Sequence, residues 1–145
     1  MRYYSPKEFL EDTKKLSVII KKFDPQVIVP IARGGLTLAH YLSELLDIRD
    51  VFCINSIGYD GEKKLDSVKV FNTPKIDKKR VLVVDDIADS GDTLKAVLDS
   101  IMIKNPHCEI KTATLFYKKS SVVQPDFTVC EATEWIEYFW NKELT

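Results

Sequence analysis

Val81-Leu82-Val83-Val84-Asp85-Asp86-Ile87-Ala88-Asp89-Ser90-Gly91-Asp92-Thr93 is the stretch that decides the fold. Its unbroken apolar start reads as a strand buried on both faces, as in the middle of a parallel sheet. The strand ends in two carboxylates and turns through small residues into a helix marked by Leu94, Val97, Leu98 and Ile101. Side chains alternate along a strand, so Asp85 and Asp86 face different partners at its mouth. Backbone N–H groups at the start of the helix, together with the positive end of its dipole, converge on whatever lies above the turn from Ala88 to Thr93. An anion is the natural occupant. Gly91 permits close backbone approach, and the Ser90 and Thr93 hydroxyls can donate to a phosphate.

Outward from this stretch, strand and helix patterns alternate along the chain. Val27-Ile28-Val29 is a second short apolar strand, followed by Arg33-Gly34-Gly35 and a helix with Leu38, Leu42, Leu45 and Leu46 on one face. Val51 to Ile57, Ile110 to Tyr117 and Phe127 to Cys130 supply further strands. Ser5-Pro6-Lys7-Glu8 opens an N-terminal helix as a capping box with proline at the first position, and Phe9, Leu16, Ile20 and Phe23 form its apolar stripe. The expected fold is an α/β domain with a mainly parallel, five-stranded core sheet flanked by helices, its ligands beyond the carboxyl ends of the strands. Between Ser56 and Lys79 lies a polar excursion with Gly58, Gly61 and Pro74, broken by the alternation Val68-Lys69-Val70. It reads as a long hairpin and a candidate flexible lid.

The chain has 145 residues, 45% hydrophobic and 30% charged, which suits a single globular domain over residues 1–145. Its 21 basic and 22 acidic side chains leave a net charge of -1, so no overall field draws it to nucleic acid or an acidic membrane. Cys53, Cys108 and Cys130 show no metal-ligand rhythm with His40 or His107 and read as reduced thiols. The start of the chain carries no basic stretch followed by an apolar run, and no membrane span is evident; the expected location is cytoplasmic. Neither GxxxxGK[ST] nor GxGxxG is present, which removes P-loop and dinucleotide-binding readings.

Val81 to Thr93 resembles the phosphoribosyl diphosphate signature of type I phosphoribosyltransferases, an apolar strand, an acidic pair and a D-[ST]-G-x-T loop. The resemblance implies that Ala88, Asp89, Ser90, Gly91, Asp92 and Thr93 grip a 5-phosphate, that Asp85 and Asp86 meet ribose and magnesium with Asp86 on the metal, and that Asp89 sits beside the base as the catalytic residue. Asp92 fills the variable position, where its charge is tolerable only if the side chain turns outward. Pro30-Ile31-Ala32-Arg33-Gly34-Gly35 resembles the diphosphate loop of the same family, with Arg33 and Gly34 on the binding positions. The peptide before that basic residue is often cis in the family, which marks Ala32–Arg33.

Glu134-Trp135-Ile136-Glu137 and Trp140 resemble the segment with which xanthine-guanine phosphoribosyltransferases cover the base, and Phe116-Tyr117-Lys118 resembles their strand end carrying a lysine for the purine O6. Lys118, Trp135 and Ile136, with Asp89, are thereby the expected purine-binding set, and the C-terminal segment a small hood. The resemblance implies magnesium as cofactor, phosphoribosyl diphosphate and a 6-oxopurine as substrates, and a homodimer or homotetramer. Two alternatives stay open at this stage: a regulator of the same fold that senses phosphoribosyl diphosphate, and a transferase for another base.

Overall fold

The computed structural model describes residues 1–60 and 63–142. In chain order its elements are β1 (Arg2–Tyr4), α1 (Pro6–Ile20), β2 (Val27–Ala32), α2 (Leu36–Leu45), β3 (Ile54–Asp60), β4 (Lys63–Phe71), β5 (Arg80–Val84), β6 (Ile87–Ala88), α3 (Asp92–Lys104), β7 (Glu109–Ala113), β8 (Phe116–Tyr117), β9 (Cys130–Glu131), β10 (Ile136–Tyr138) and α4 (Phe139–Lys142).

The core sheet has the order β4-β3-β2-β5-β7. β2, β3, β5 and β7 run parallel, and β4 returns antiparallel along the β3 edge. Alternation within the central strands builds two cores. Ile28, Leu82 and Val84 face α1 and α2, whose Phe9, Leu16, Leu38 and Leu42 are fully buried. Val27, Val29, Val81 and Val83 face α3 through Leu94, Val97 and Ile101. Helices on both faces explain why these strands are continuously apolar. The capping box at Ser5 and Glu8 is present, both of its hydrogen bonds formed. Leu45, assigned to the buried face of α2, is exposed instead; the helix ends there and Leu46 turns inward.

The expected five strands are found, but the fifth is not Phe127 to Cys130. It is β4, from the polar excursion, which pairs as a hairpin with β3. Phe127 contributes one bridge to Ala113, and β9 joins a separate parallel sheet of order β6-β8-β9. The segment read as one strand from Ile110 to Tyr117 is split, because at Thr114 and Leu115 the backbone leaves the core sheet and its N–H groups turn to Phe127 and Asp86. The excursion also ends earlier than a lid over 56–79 would require. Ile76 is 1% exposed and its N–H donates to Asn105 Oδ1 at 2.7 Å, which ties the return segment to the end of α3. Gly61 lies outside the described residues.

Strand order reverses direction between β2 and β5: the chain after β2 crosses to β3 on one side, whereas β5 lies on the other. A crevice outside the carboxyl ends of these two strands is where open α/β sheets bind ligands. Both informative loops of the sequence leave from there, 33–35 after β2 and 85–91 after β5. No described helix is long and apolar enough to cross a membrane.

Candidate active site

Two glycines bring the loops together. A Cβ at Gly34 would stand 2.8 Å from the Asp86 carboxylate, and one at Gly35 would run into the Val84 carbonyl oxygen. Without side chains the β2 loop lies directly against the end of β5. Arg33, next to Gly34 in that loop, is exposed and follows a cis Ala32–Arg33 peptide bond.

The acidic pair itself is less open than a strand mouth suggests. Asp85 is 9% exposed and Asp86 half-buried. Asp85 Oδ1 accepts from the Asp86 N–H at 2.9 Å, and Asp86 Oδ1 accepts from the Ile87 N–H at 2.8 Å. Burial, and then the neighbouring Asp86 charge, push the Asp85 carboxyl well above the usual range; burial likewise raises Asp86. Two desolvated carboxylates with no basic side chain paired to them among the described residues are a site that favours a cation. No cluster of three metal-ligating side chains occurs among the described residues. Magnesium keeps its waters and takes one or two carboxylates plus substrate phosphate oxygens, and the donor chemistry of Asp85 and Asp86 fits it.

Downstream, Gly91 caps α3 with φ +86°, a conformation that glycine adopts without strain, and has no side chain of its own to cap the first turn. A Cβ there would lie 2.5 Å from Ser121 Oγ. The loop is held from outside, since the Val122 N–H donates to the Ser90 carbonyl and the Lys118 N–H to the Ala88 carbonyl, each at 2.9 Å. Asp85 to Asp89, Ser90, Gly91, Thr93 and Leu94 line a hollow of about 200 Å³ at the start of α3, where the sequence reading expects an anion. Ser90 Oγ accepts from the Asp92 N–H at 3.2 Å, which leaves its own proton to donate outward. Asp92 is exposed and is not among the residues that line the hollow.

A second cleft of about 220 Å³ adjoins the first through Asp86, Ile87 and Asp89, and its other walls include Lys118, Trp135, Ile136, Tyr138 and Asn141. All four expected base-binding residues meet here. Lys118 Nζ is 2.8 Å from Asp89 Oδ1, so the cation and the anion hold each other across the cleft. Trp135 is 74% exposed, a large apolar surface with no packing role, whereas Ile136 is 7% exposed and carries the backbone of the hood. β10 pairs in parallel with β1, and the Arg2 N–H donates to the Trp135 carbonyl at 2.9 Å, so the N-terminal strand holds the hood in place.

Residues 4–144 match the phosphoribosyl transferase domain family. The chain belongs to that family. Xanthine-guanine phosphoribosyltransferase of Idiomarina loihiensis is 31% identical over 121 residues, 81% of this chain and 71% of that one. Among solved structures, the Helicobacter pylori xanthine-guanine-hypoxanthine phosphoribosyltransferase superposes with a TM-score of 0.88 at 37% identity, covering 99% of this chain and 93% of that one. A purine phosphoribosyltransferase from Pyrococcus horikoshii gives 0.84 at 32% identity, over 95% and 92%. The fold is thus that of the type I phosphoribosyltransferases, and the chain is a transferase of the purine group.

Within this phosphoribosyltransferase, sequence reasoning passed over Ser121 and Tyr138. Lys118-Lys119-Ser120-Ser121 reads as a solvated turn, yet Ser121 is 7% exposed beneath Gly91. The available signal for Tyr138 was its period-two spacing from Ile136 in a short strand.

Proposed function

We propose that this phosphoribosyltransferase moves the 5-phosphoribosyl group from phosphoribosyl diphosphate to a 6-oxopurine, guanine, xanthine or hypoxanthine, giving the nucleoside monophosphate and diphosphate in purine salvage. The observation that carries it is the meeting of Asp89, Lys118, Trp135 and Ile136 in one cleft beside the phosphate hollow. Phosphate is held by the backbone and hydroxyls of 88–93, diphosphate by Arg33 and the Gly34 backbone, and ribose by Asp85. Asp86 would hold a magnesium ion, whose charge would neutralise the diphosphate. A base nitrogen forms its bond to C1 as the bond from C1 to the diphosphate oxygen breaks, and Asp89 orients the base or takes its proton.

The Lys118–Asp89 pair supports the choice of base. Parted, it presents a donor and an acceptor, complementary to the O6 and a ring N–H of a 6-oxopurine. A 6-amino group would set a donor against the lysine, and mismatched buried polar groups are what enzymes discriminate by most strongly. Trp135 offers a flat indole for stacking, with Ile136 beneath. The relatives named above, which act on xanthine, guanine and hypoxanthine by name, point the same way. The protein works in the cytoplasm as a homodimer or homotetramer, as the resemblance to the xanthine-guanine phosphoribosyltransferases implies.

Calorimetry on the paired substitution Asp85→Asn and Asp86→Asn tests the sugar-phosphate half. Magnesium-dependent binding of phosphoribosyl diphosphate is expected to vanish while the circular dichroism spectrum is kept; undiminished binding would take the site away from this loop.

A further inference from the structure

Tyr138 presents an anomaly. Its side chain lines the base cleft, but its hydroxyl oxygen is buried and has no hydrogen-bond partner among the described residues. Buried polar groups are nearly always paired, and an orphan costs stability that a phenylalanine would not. The ring cannot swing out to find water. It stacks on Trp140 with centroids 4.5 Å apart and interplanar angle 10°, and meets Tyr4 and Phe116 edge-on at 5.9 and 6.0 Å. With the ring fixed, an acceptor has to come to the hydroxyl.

The cleft wall holds three carboxylates besides it. Asp89 is engaged by Lys118, and Glu134 stands half-exposed at the rim. Asp86 remains, half-buried, with Oδ1 accepting from the Ile87 N–H and its carboxyl in hydrogen-bond contact with that of Asp85. The electrostatics agree: after burial, Asp86 is the foremost of the charges acting on the Tyr138 phenol.

Resting on the proposed function, we infer that Tyr138 is a positioning residue whose hydroxyl donates to the Asp86 carboxylate in the substrate-loaded site, tying the base hood to the sugar-phosphate half. Asp86 borders both the Gly34 loop and the base cleft, so a donor from the hood would fix the orientation in which its carboxylate meets a cation. The hydroxyl is left unpaired in the empty protein, where its cost to stability is borne until substrate arrives.

Tyr138→Phe removes one oxygen and keeps the ring, so it separates positioning from packing. Melting curves and calorimetry are recorded for wild type and variant, without ligand and with magnesium and phosphoribosyl diphosphate. Without ligand the variant is expected to melt at or above wild type. With ligand, its Kd is expected to rise roughly tenfold or more, the usual consequence of losing a hydrogen bond to a charged group, and its thermal shift to shrink accordingly. Equal Kd and equal ligand-induced shifts in the two proteins would overturn the inference while leaving the function standing. Absence of any shift in wild type would overturn both, and a lower melting point of the unliganded variant would show that the hydroxyl is already paired.

Discussion

At Gly34 the missing side chain is what admits the Asp86 carboxylate beside the diphosphate loop. Gly34→Ala is expected to raise the Michaelis constant for phosphoribosyl diphosphate at least tenfold, since the carboxylate or the loop has to give way, with only a small change in melting temperature. Unaltered kinetics would show that the two loops need not touch. Trp135 makes the complementary case. A flat indole stacks on a base at about 1–3 kcal/mol, so Trp135→Ala is expected to raise the Michaelis constant for the purine about tenfold and leave that for phosphoribosyl diphosphate unchanged. Being 74% exposed, the side chain is no core anchor, and the melting curve should hardly move. A destabilised variant with an unchanged purine constant would remove Trp135 from the pocket. Residues that line the two clefts, such as Asp85, Asp86, Asp89 and Lys118, were legible in the sequence because their chemistry is written in residue type and spacing. Tyr138 and Ser121 were not, because what matters in each is a buried oxygen next to groups remote along the chain.

Among the elements, the least legible was β4. An edge strand facing solvent has no reason to be apolar, so Lys63-Lys64-Leu65-Asp66-Ser67 reads as loop, and only Val68 and Val70 betray the pleat. Phe127 to Cys130 misleads in the opposite sense: its apolar run packs against the first core without entering the main sheet. Strands β2 and β5 were plain because burial on both faces leaves no other composition possible. The pairing of β1 with β10 could not be read at all, being a contact between the two ends of the chain, yet it has a consequence for catalysis. Arg2→Pro deletes the N–H that holds the Trp135 carbonyl, whereas Arg2→Ala deletes only the side chain and its contacts to Glu8 and Cys130. The proline variant is expected to raise the purine Michaelis constant severalfold above the alanine variant, with phosphoribosyl diphosphate binding alike in both. Identical purine constants would show that β1 does not position the hood.

Over the whole molecule, the sheet places its least stable chemistry at its most useful point, the reversal of strand order between β2 and β5. Asp85 and Asp86 have raised pKa values in the empty protein. A carboxyl raised on folding binds its proton more tightly in the folded state, so its contribution favours folding below the unfolded pKa and is lost as pH rises through the folded one. Asp85→Asn abolishes that loss. The variant is expected to melt above unliganded wild type at pH 8, by about 3–5 °C for each kcal/mol relieved, and the gap is expected to close as pH falls toward 4. A variant that melts lower at pH 8 would mean that the charge is already compensated. Stability is thus traded for a carboxyl pair whose charged form a bound cation would favour.

The most direct test is product formation from phosphoribosyl diphosphate and magnesium with each of guanine, xanthine, hypoxanthine, adenine and uracil, separated by chromatography. At least one of the three 6-oxopurines is expected to give its nucleoside monophosphate with stoichiometric diphosphate, and adenine and uracil none. Nucleotide formed from adenine or uracil alone, or binding of phosphoribosyl diphosphate with no turnover of any base, would contradict it.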